Sequence, residues 1–253
     1  MTRAGNVIRD AGLCVASEDQ PEPERWHFPT TLVTLIFNRD ERAIALEGQS
    51  TPQAWVSGPR ERMVLATATG SGASMVAVSV PPMVARRLFR GIGMHELTGQ
   101  PVFEIRDLLG RGTSKLTDAS RRDEWRQAVP EALAGLLAVK PRLHGEATAE
   151  HAWRTLCASG GRLRIEDLAR TVGWTRRHLV RQFTEHIGMT PKLAGRILRM
   201  KQAVALLDRG RPGSVAAAEA GYSDHAHFIR ETRALTGRTP TAWLGQIHCP
   251  LYG

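Results

Sequence analysis

The chain has 253 residues, of which 42% are hydrophobic, and a formal net charge of +9. That length accommodates one large domain or two modest domains with an ordinary hydrophobic core. No apolar run approaches eighteen residues, and no apolar signal core stands near the start of the chain. We therefore expect a cytoplasmic protein that neither crosses a membrane nor is exported.

The sequence pattern of residues 1–140 predicts a β-rich domain. Residues 1–25 are polar and predict a loose lead-in, after which branched and aromatic residues alternate with Gly and Pro. Regular spacing of short strands is typical of a small barrel or a sandwich. The predicted strands cover residues 30–37, 43–46, 54–57, 63–67 and 74–80.

The end of this region reads as mostly helical. A short helix is predicted over 83–89 behind Pro82, and residues 102–109 predict a strand or turn running into another short helix. Residues 110–120 predict a loop, and 121–139 predict a helical pair broken at Pro130. A linker is expected over 141–147, which separates a β-rich domain over 1–140 from a second domain over 148–253.

Cysteine and histidine usage argues against a metal or redox site. Cys14, Cys157 and Cys249 are far apart and odd in number, so they indicate neither a disulfide framework nor a metal ligand set. The first domain offers His27, His95 and His144 without a His-x-His pair, although a metal site needs several converging imidazoles and carboxylates. We expect no cofactor and no enzymatic activity.

The second half of the chain carries an internal repeat. Ala169-Arg-Thr-Val-Gly-Trp-Thr175 and Ala217-Ala-Glu-Ala-Gly-Tyr-Ser223 share an alanine, a glycine, an aromatic residue and a hydroxyl residue in the same order. Gly188-Met-Thr-Pro191 and Gly237-Arg-Thr-Pro240 are a second matching pair. The offset is 48 for the first pair (217 − 169) and 49 for the second (237 − 188). One residue has therefore been gained between the two pairs.

Each copy predicts a helix-turn-helix unit. Apolar residues at helical spacing lead to Gly173 in the first copy and Gly221 in the second, where glycine permits the turn. Thr175 and Ser223 are the expected caps of the helices that follow. One copy alone is equally typical of a helical hairpin in a bundle, but two copies with basic second helices favour a DNA reader.

Charge and spacing agree with that interpretation. Residues 150–253 hold 16 Lys and Arg against 8 Asp and Glu, whereas residues 1–149 hold 18 against 17. A basic excess on one part of a chain is typical of nucleic-acid binding. A helix predicted over 193–208 spans roughly 24 Å, enough with its flanking turns to hold two recognition helices about one DNA turn, roughly 34 Å, apart. One chain would then read two successive major-groove segments, which leaves both a monomer and a homodimer open.

Residues from about 148 to 247 resemble the DNA-binding domain of AraC/XylS transcription regulators. The segment Gly221-Tyr-Ser-Asp-His-Ala-His-Phe-Ile-Arg230 carries the resemblance, together with the second Gly-x-Thr-Pro motif and Trp243. The chain departs from the family pattern at Ala226, where Ser is frequent, and at Thr232, where Phe is frequent. The resemblance implies double-stranded DNA as a partner and contact with RNA polymerase.

The first domain resembles, more weakly, the β-rich sensor domain of one branch of that family. Ser57-Gly-Pro59 and Asp107-Leu-Leu-Gly110 are among the matching segments. This resemblance implies a cupin-like barrel that receives a small effector or helps the protein dimerise. The expected fold class is α+β, a small β-barrel or cupin-like domain followed by an all-α domain with two helix-turn-helix motifs joined by a long helix.

Candidate DNA contacts follow from the way recognition helices enter the major groove by their N-terminal part. Arginine pairs in bidentate fashion with guanine, whereas Val180 and Ala226 are suited to apolar contact with a thymine methyl group. Helix-start hydroxyls and exposed cations are suited to phosphate. The predicted base contacts are Arg176, Arg177, Val180, Arg181, His225, Ala226, His227 and Arg230, and the predicted phosphate contacts are Thr190, Lys192, Arg196, Arg199 and Thr239.

Two other function classes remain open at this point. A DNA-targeted repair enzyme with a methyl-acceptor cysteine needs an activated thiol, and Cys14 lies in a segment without a base or metal-ligand cluster. A structural DNA-binding protein without an effector would need only the basic reader. A regulator with a small-molecule effector is the favoured hypothesis.

Overall fold

The structure is a computed structural model and describes residues 6–8, 13–19, 24–39, 44–68, 74–90, 92–99, 102–138 and 146–243. None of the helices in these ranges combines the length and the apolar character needed to cross a bilayer. Most of the predicted linker, His144 and Cys249 lie outside the described residues.

In the described part of the chain, ten strands form two antiparallel sheets. The larger sheet has the order β1-β2-β9-β4-β7-β10, and the smaller has the order β3-β8-β5-β6. The two sheets share one apolar cluster, and a backbone bridge pairs Thr30 with Arg60. The strands are β1 Asn6–Ile8, β2 Leu13–Asp19, β3 Glu24–His27, β4 Val33–Asn38, β5 Ile44–Leu46, β6 Gln49–Ser50, β7 Ala54–Ser57, β8 Val64–Ala68, β9 Ser74–Val80 and β10 Phe103–Glu104.

The predicted β-rich domain is therefore confirmed as two facing sheets, and the described strands do not close into one barrel. The five predicted strands correspond to β4, β5, β7, β8 and β9. The loose lead-in predicted for residues 1–25 is wrong, because β2 pairs with β9 along its length and β3 pairs with β8. Sequence patterns do not reveal these early strands, because their partners lie far along the chain.

Helices cover the outer face of the larger sheet. Val33, Leu35 and Phe37 of β4 are buried against them in one core. The helices are α1 Pro82–Leu88, α2 Ile105–Leu109, α3 Thr113–Arg121 and α4 Trp125–Ala138, with a 3₁₀ helix at Met94–Leu97 between α1 and α2 and another at Gly110–Gly112.

Two local predictions in this region are wrong. The expected loop over 110–120 contains α3, since burial of Leu116 in the shared core stabilises a helix there. The expected break at Pro130 does not occur, because α4 continues through it. A proline inside a helix costs roughly 3 kcal/mol, which burial of Val129 and Leu133, at about 1.5–3 kcal/mol each, offsets.

The C-terminal part is all helical around a second core. The two helix-turn-helix units are α6–α7 and α9–α10, and α8 is the long helix that connects them. Trp153, Leu168, Phe183, Ile197 and Phe228 belong to that core. The elements are α5 Glu146–Ala158, α6 Ile165–Thr171, α7 Arg176–Ile187, α8 Pro191–Asp208, α9 Gly213–Glu219, α10 His225–Thr236 and a 3₁₀ helix at Pro240–Trp243.

The structure locates the residue gained in the second copy. The first helices of the two units, α6 and α9, keep the shorter offset of the repeat, whereas the second helices, α7 and α10, already have the longer one. The gain therefore lies in the turn of the second unit. Thr175 caps α7 as predicted. The predicted cap Ser223 is wrong, because the longer turn brings the Asp224 carboxylate to the start of α10 instead.

Candidate DNA-binding surface and intersheet cavity

The first recognition helix, α7, presents arginines at its start. The Thr175 hydroxyl accepts from the backbone N–H of His178 at 3.2 Å and so begins the helix. Arg176, Arg177 and Arg181 are exposed on the side away from the core. Arg181 Nη2 lies 3.2 Å from His178 Nδ1, and Val180 beside it is half-buried. Three guanidinium groups thus stand within two turns on one surface.

The second recognition helix, α10, has a charged N-cap with a shorter hydrogen bond than the N-cap of α7. It carries fewer arginines near its start. Asp224 accepts from the backbone N–H of His227 at 2.6 Å, and this hydrogen bond, then that from Ser223, lowers the pKa of the carboxyl. His225, Ala226 and Arg230 are exposed. Arg230 is the one guanidinium among the four predicted base contacts of this helix.

The side chain of His227 is half-buried and packs against its neighbours, unlike the exposed side chains of His225 and Ala226. Its ring meets Tyr222 edge-on at 5.3 Å, as the ring of His178 meets Trp174 at 4.9 Å in the first unit. His227 Nδ1 is 3.0 Å from the Ser223 hydroxyl. The two histidines therefore occupy equivalent positions, each packed beside the aromatic residue of its turn.

Three of the predicted phosphate contacts, Lys192, Arg196 and Arg199, line a groove between the two units, and Thr190 and Thr239 lie outside its lining. Thr190 caps α8 by accepting from Leu193 N at 3.3 Å, and Lys192 is exposed in the first turn of that helix. Thr239 is exposed before the last 3₁₀ helix. The groove has a volume of about 640 Å³, and its charged lining includes Arg162, Arg164, Lys192, Arg196, Arg199, Arg230 and Glu231.

Sequence reasoning missed Arg162 and Arg164. They stand between α5 and α6, before the first helix-turn-helix, where the only local signal is a basic pair after two glycines. The fold brings them to the same groove as α8 and α10. Arg196, in contrast, lies 3.3 Å from the Glu231 carboxylate and shares its charge with that partner.

A second concave site lies between the two sheets. The cavity has a volume of about 80 Å³ and a polar end formed by Arg25, His27 and Arg60. Arg60 Nη1 donates to the Ser57 hydroxyl at that end. No acidic side chain is among the described residues that line it. Its apolar wall is formed by Ile36, Ile44, Leu46, Trp55, Val64 and Ala66.

The charges around the cavity favour a negatively charged ligand. Burial, then Arg60, then Arg25, lower the pKa of His27 to about 3, so the imidazole is neutral at physiological pH. Trp55 is only 4% exposed, and its Nε1–H has no hydrogen-bond partner among the described residues. Two arginines and a tryptophan with an unpartnered N–H are therefore among the residues that line a space bounded mainly by hydrocarbon.

Metal and thiol chemistry find little support in the described part of the chain. It contains no group of three His, Cys, Asp or Glu residues placed to hold a metal ion. Cys157 is half-buried, and burial raises the pKa of its thiol to about 12. The thiolate needed for nucleophilic attack is thus disfavoured at that position.

Comparison with known proteins identifies the C-terminal part. Residues 168–246 match a family model described as a helix-turn-helix domain. A curated relative, the uncharacterized HTH-type transcriptional regulator YbfI of Bacillus subtilis (strain 168), is 38% identical over 64 residues. That stretch is 25% of this chain and 23% of the relative, so less than a quarter of YbfI is matched. The C-terminal part is an AraC-type helix-turn-helix domain.

Solved structures extend the likeness to the fold of nearly the whole chain. The structure of ToxT from Vibrio cholerae at 1.65 Å resolution matches with a TM-score of 0.51 and 8% identity, over 94% of this chain and 100% of that one. Wild-type ToxT with a bound unsaturated fatty acid matches with a TM-score of 0.50 and 12% identity, over 98% and 100%. The order of a β-rich region followed by an AraC-type domain is therefore a known architecture.

The AraC-type domain is docked on the β-rich region through the last turn of α7. Glu185 carboxylate oxygens lie 3.0 Å from Arg86 Nη2 and 3.4 Å from His95 Nδ1. Thr98 Oγ1 donates to the carbonyl of Gly188 at 2.7 Å. These contacts use the end of α7, while its predicted DNA-contacting start stays exposed.

The connector helix of the AraC-type domain also touches the β-rich region. Lys201 Nζ of α8 donates to Thr30 Oγ1 at 3.2 Å. Thr30 and Arg60 exchange both backbone hydrogen bonds, at 2.8 and 2.7 Å. Because Arg60 lines the cavity, a continuous chain of contacts joins the cavity wall to α8.

Proposed function

We propose that this protein is a sequence-specific DNA-binding transcription regulator whose β-rich domain binds a small effector. The observation that carries the proposal is the pair of capped recognition helices, each exposing its N-terminal surface from one AraC-type domain. The domain limits proposed are 1–140, 141–147 and 148–253. The AraC/XylS resemblance adds RNA polymerase as a second partner and a cytoplasmic location.

The two helices divide the proposed reading of DNA. Arg176, Arg177 and Arg181 supply bidentate donors for guanine, with Val180 as an apolar neighbour. On α10, Arg230 has the same chemistry, while His225, Ala226 and His227 complete the proposed base contacts. Phosphates are assigned to Thr190, Lys192, Arg196 and Thr239. A monomer already presents both helices, and a homodimer would double the site.

The chemistry of the cavity supports an organic acid with an apolar body as the effector. Two arginines at one end complement a carboxylate, and the Trp55 N–H offers a further donor. The hydrocarbon wall accepts an apolar chain or ring. A carboxylic acid ligand occurs in the similar ToxT structure named above, where the bound molecule is an unsaturated fatty acid.

Control of DNA binding would follow from differential affinity. An effector bound at Arg60 would displace the segment between β3 and β4 that carries Thr30, and thereby alter the contact with Lys201 on α8. A ligand shifts an equilibrium only by its differential affinity for the two states. We therefore expect two arrangements of α8 against the β-rich domain, with one favoured by the effector.

The test begins with selection of bound genomic DNA fragments by the purified full-length protein at stated salt, followed by footprinting. Two protected segments about ten base pairs apart are expected for a two-headed reader. Diffuse binding that depends only on salt would overturn the regulator and favour a structural DNA-binding protein.

Effector binding is tested by titrating aliphatic and aromatic carboxylic acids while recording DNA affinity and melting temperature. A matched pair of alcohols and acids of equal carbon skeleton separates the charge contribution from the apolar one. Arg60→Met should abolish the preference for the acid, whereas Arg62→Met, an exposed neighbour paired with Glu47 at 3.5 Å, should preserve it. If no acid changes either quantity, the effector part of the proposal fails and the DNA-binding part stands.

A further inference from the structure

We infer that Arg199 and Glu231 are positioning residues that lock the two helix-turn-helix units at one relative spacing, so that the domain accepts DNA with one separation of half-sites. This inference rests on the proposed function and specifies how its DNA target is selected. It assigns to Arg199 an internal role instead of the phosphate contact expected from sequence.

Arg199 joins three separate pieces of the domain. Its side chain projects from α8, and Nη1 donates to the carbonyl of Gly161 at 2.9 Å, in the turn just before the first unit. Nη2 donates to the Glu231 carboxylate of α10 at 3.1 and 3.4 Å. One planar guanidinium group on the connector thus binds the turn that leads into the first unit and the second recognition helix at once.

The turn that receives Arg199 has little freedom to move. Gly161 has a φ of +77°, which L side chains rarely adopt, and a Cβ atom there would clash with the carbonyl oxygen of Gly195 on α8. The backbone of the turn is therefore seated directly on the connector helix. Its neighbour Arg162 donates from Nη1 to the carbonyl of Glu219, at the end of α9, at 2.9 Å. A second arginine thus links the same turn to the second unit.

Glu231 is held on the other side by several groups. Its side chain is 10% exposed and lies 3.3 Å from Arg196 Nε in addition to Arg199, with His227 Nε2 at 3.8 Å. The Arg199 guanidinium also lies over the Tyr222 ring, 5.6 Å from its centroid. A largely buried carboxylate between two guanidinium groups is strongly bound in place, because moving either partner leaves an unpaired charge.

The directionality of these contacts is what sets the spacing. Apolar contacts tolerate sliding, whereas a forked guanidinium fixes both distance and angle between the groups that it joins. Helices α7 and α10 both pack against the connector α8, from which Arg199 projects. With the cluster intact, both helices fit successive major-groove segments only at one separation, about one DNA turn. Without the cluster, the second unit is free to adjust.

The decisive experiment compares full-length variants on a set of duplexes that carry the footprinted site with its two halves moved apart by zero, one, two or five base pairs. The wild type should bind the duplex with the two-base-pair insertion at least tenfold more weakly than the duplex without an insertion. Glu231→Gln and Arg199→Lys should lose less than threefold on the same insertion. Arg199→Lys keeps the charge but cannot fork, so it separates positioning from simple electrostatics.

The matched control is Glu219→Gln. Glu219 belongs to the second unit and pairs its exposed carboxylate with Arg211 at 2.7 Å, just beyond the C-terminal end of the connector and apart from the Arg199–Glu231 cluster. The substitution leaves in place the Glu219 backbone carbonyl that accepts from Arg162. This variant should keep the full tenfold discrimination. Wild-type discrimination in both Glu231→Gln and Arg199→Lys would overturn the inference. Should Glu231→Gln fail to fold, Arg199→Lys together with Arg162→Met, which removes the other link, decides the outcome.

A readout without DNA keeps this inference separate from the proposed function. Spin labels at Arg177→Cys and Ala226→Cys, in a protein whose native cysteines are replaced by alanine, report the distance between the recognition helices. A narrow distribution that broadens in Glu231→Gln is expected, and equal widths would refute the lock. If the wild type binds no preferred DNA sequence, the regulator fails, yet the distance measurement still tests the lock.

Discussion

The two helix-turn-helix units share one architecture and differ in what surrounds them. Their recognition helices have equal lengths of 12 residues, and each ends at a glycine with positive φ. The first unit is bound to the β-rich domain through Glu185 and Gly188, whereas the second approaches it through Arg238, whose guanidinium lies 5.4 Å from the Trp26 ring centroid. The repeat thus preserves the scaffold and varies its attachments.

The two recognition helices also differ in the residues that they expose. The start of α7 presents three arginines, and the start of α10 presents two histidines, an alanine and one arginine. The tightly docked unit is therefore also the more basic one. We expect the first unit to supply most of the affinity and the second to supply discrimination between sites that the first unit already binds.

The largest expected difference between the two units concerns Gly188 and Gly237, the glycines at which the two recognition helices end. Gly188→Ala should destabilise the protein by about 2–5 kcal/mol, because a left-handed backbone costs roughly 1–2 kcal/mol for a residue with Cβ and overpacking adds about 1–3 kcal/mol. A Cβ atom there would lie 2.7 Å from Thr98 Oγ1 and 2.9 Å from Pro59 Cγ. Urea unfolding measures the difference.

Gly237→Ala is the matched control for that change. Gly237 has a φ of +76°, but a Cβ atom there meets nothing within 4 Å. Only the backbone cost of roughly 1–2 kcal/mol is expected. Equal destabilisation by the two variants would show that docking of the first unit contributes little.

Base reading by the first unit is tested with Arg181→Ala. It should lose about 1–3 kcal/mol of binding to the selected site and relax the preference at one base pair. Lys192→Ala should instead weaken all sequences alike and lower the salt slope by about one. Electrophoretic titrations at several salt concentrations separate these outcomes, and an equal loss for Arg181→Ala on random DNA would contradict base reading.

The interdomain ion pairs give a smaller expected effect. Glu185→Gln removes the charge that faces Arg86 and His95 and should cost about 1 kcal/mol or less in stability, since these groups keep partial exposure. Its larger consequence should be a reduced response of DNA affinity to an effector. Glu131→Gln, on the exposed side of α4, should leave that response unchanged.

The last prediction concerns the stability of the protein at pH below neutrality. Burial lowers the pKa of His27 to about 3 and that of His186 to about 4, where Arg86 contributes and Glu185 opposes. Both histidines bind protons more readily in the unfolded chain, below its pKa of about 6.5. Stability should therefore be constant above about pH 6.5 and decrease as the pH falls towards 4.

His27→Gln should flatten that decrease, and so should a carboxylic acid bound beside Arg60. Denaturation midpoints at pH 7.5, 6 and 5 provide the measurement. A variant whose midpoints fall as steeply as those of the wild type would show that His27 is not titrated between these limits.

Local signals in the sequence determined much of the fold. The repeat, the capping residues Thr175 and Thr190 and the turn glycines Gly173 and Gly221 were readable because each acts within a few residues of itself. Five strands were readable from branched residues bounded by turns. The family resemblance and the basic excess of the second half led to the DNA-reading hypothesis on the same local grounds.

The rest was decided by pairing between distant segments. The early strands β1 and β2 have no distinctive strand pattern in the sequence. They form because β2 pairs with β9 and β1 pairs with β2. The cavity takes its lining from both sheets, and Arg199 of α8 meets Glu231 of α10 across the intervening helix α9. Only the folded chain brings such groups together, because burial and directional hydrogen bonds between segments depend on three-dimensional proximity that no local pattern encodes.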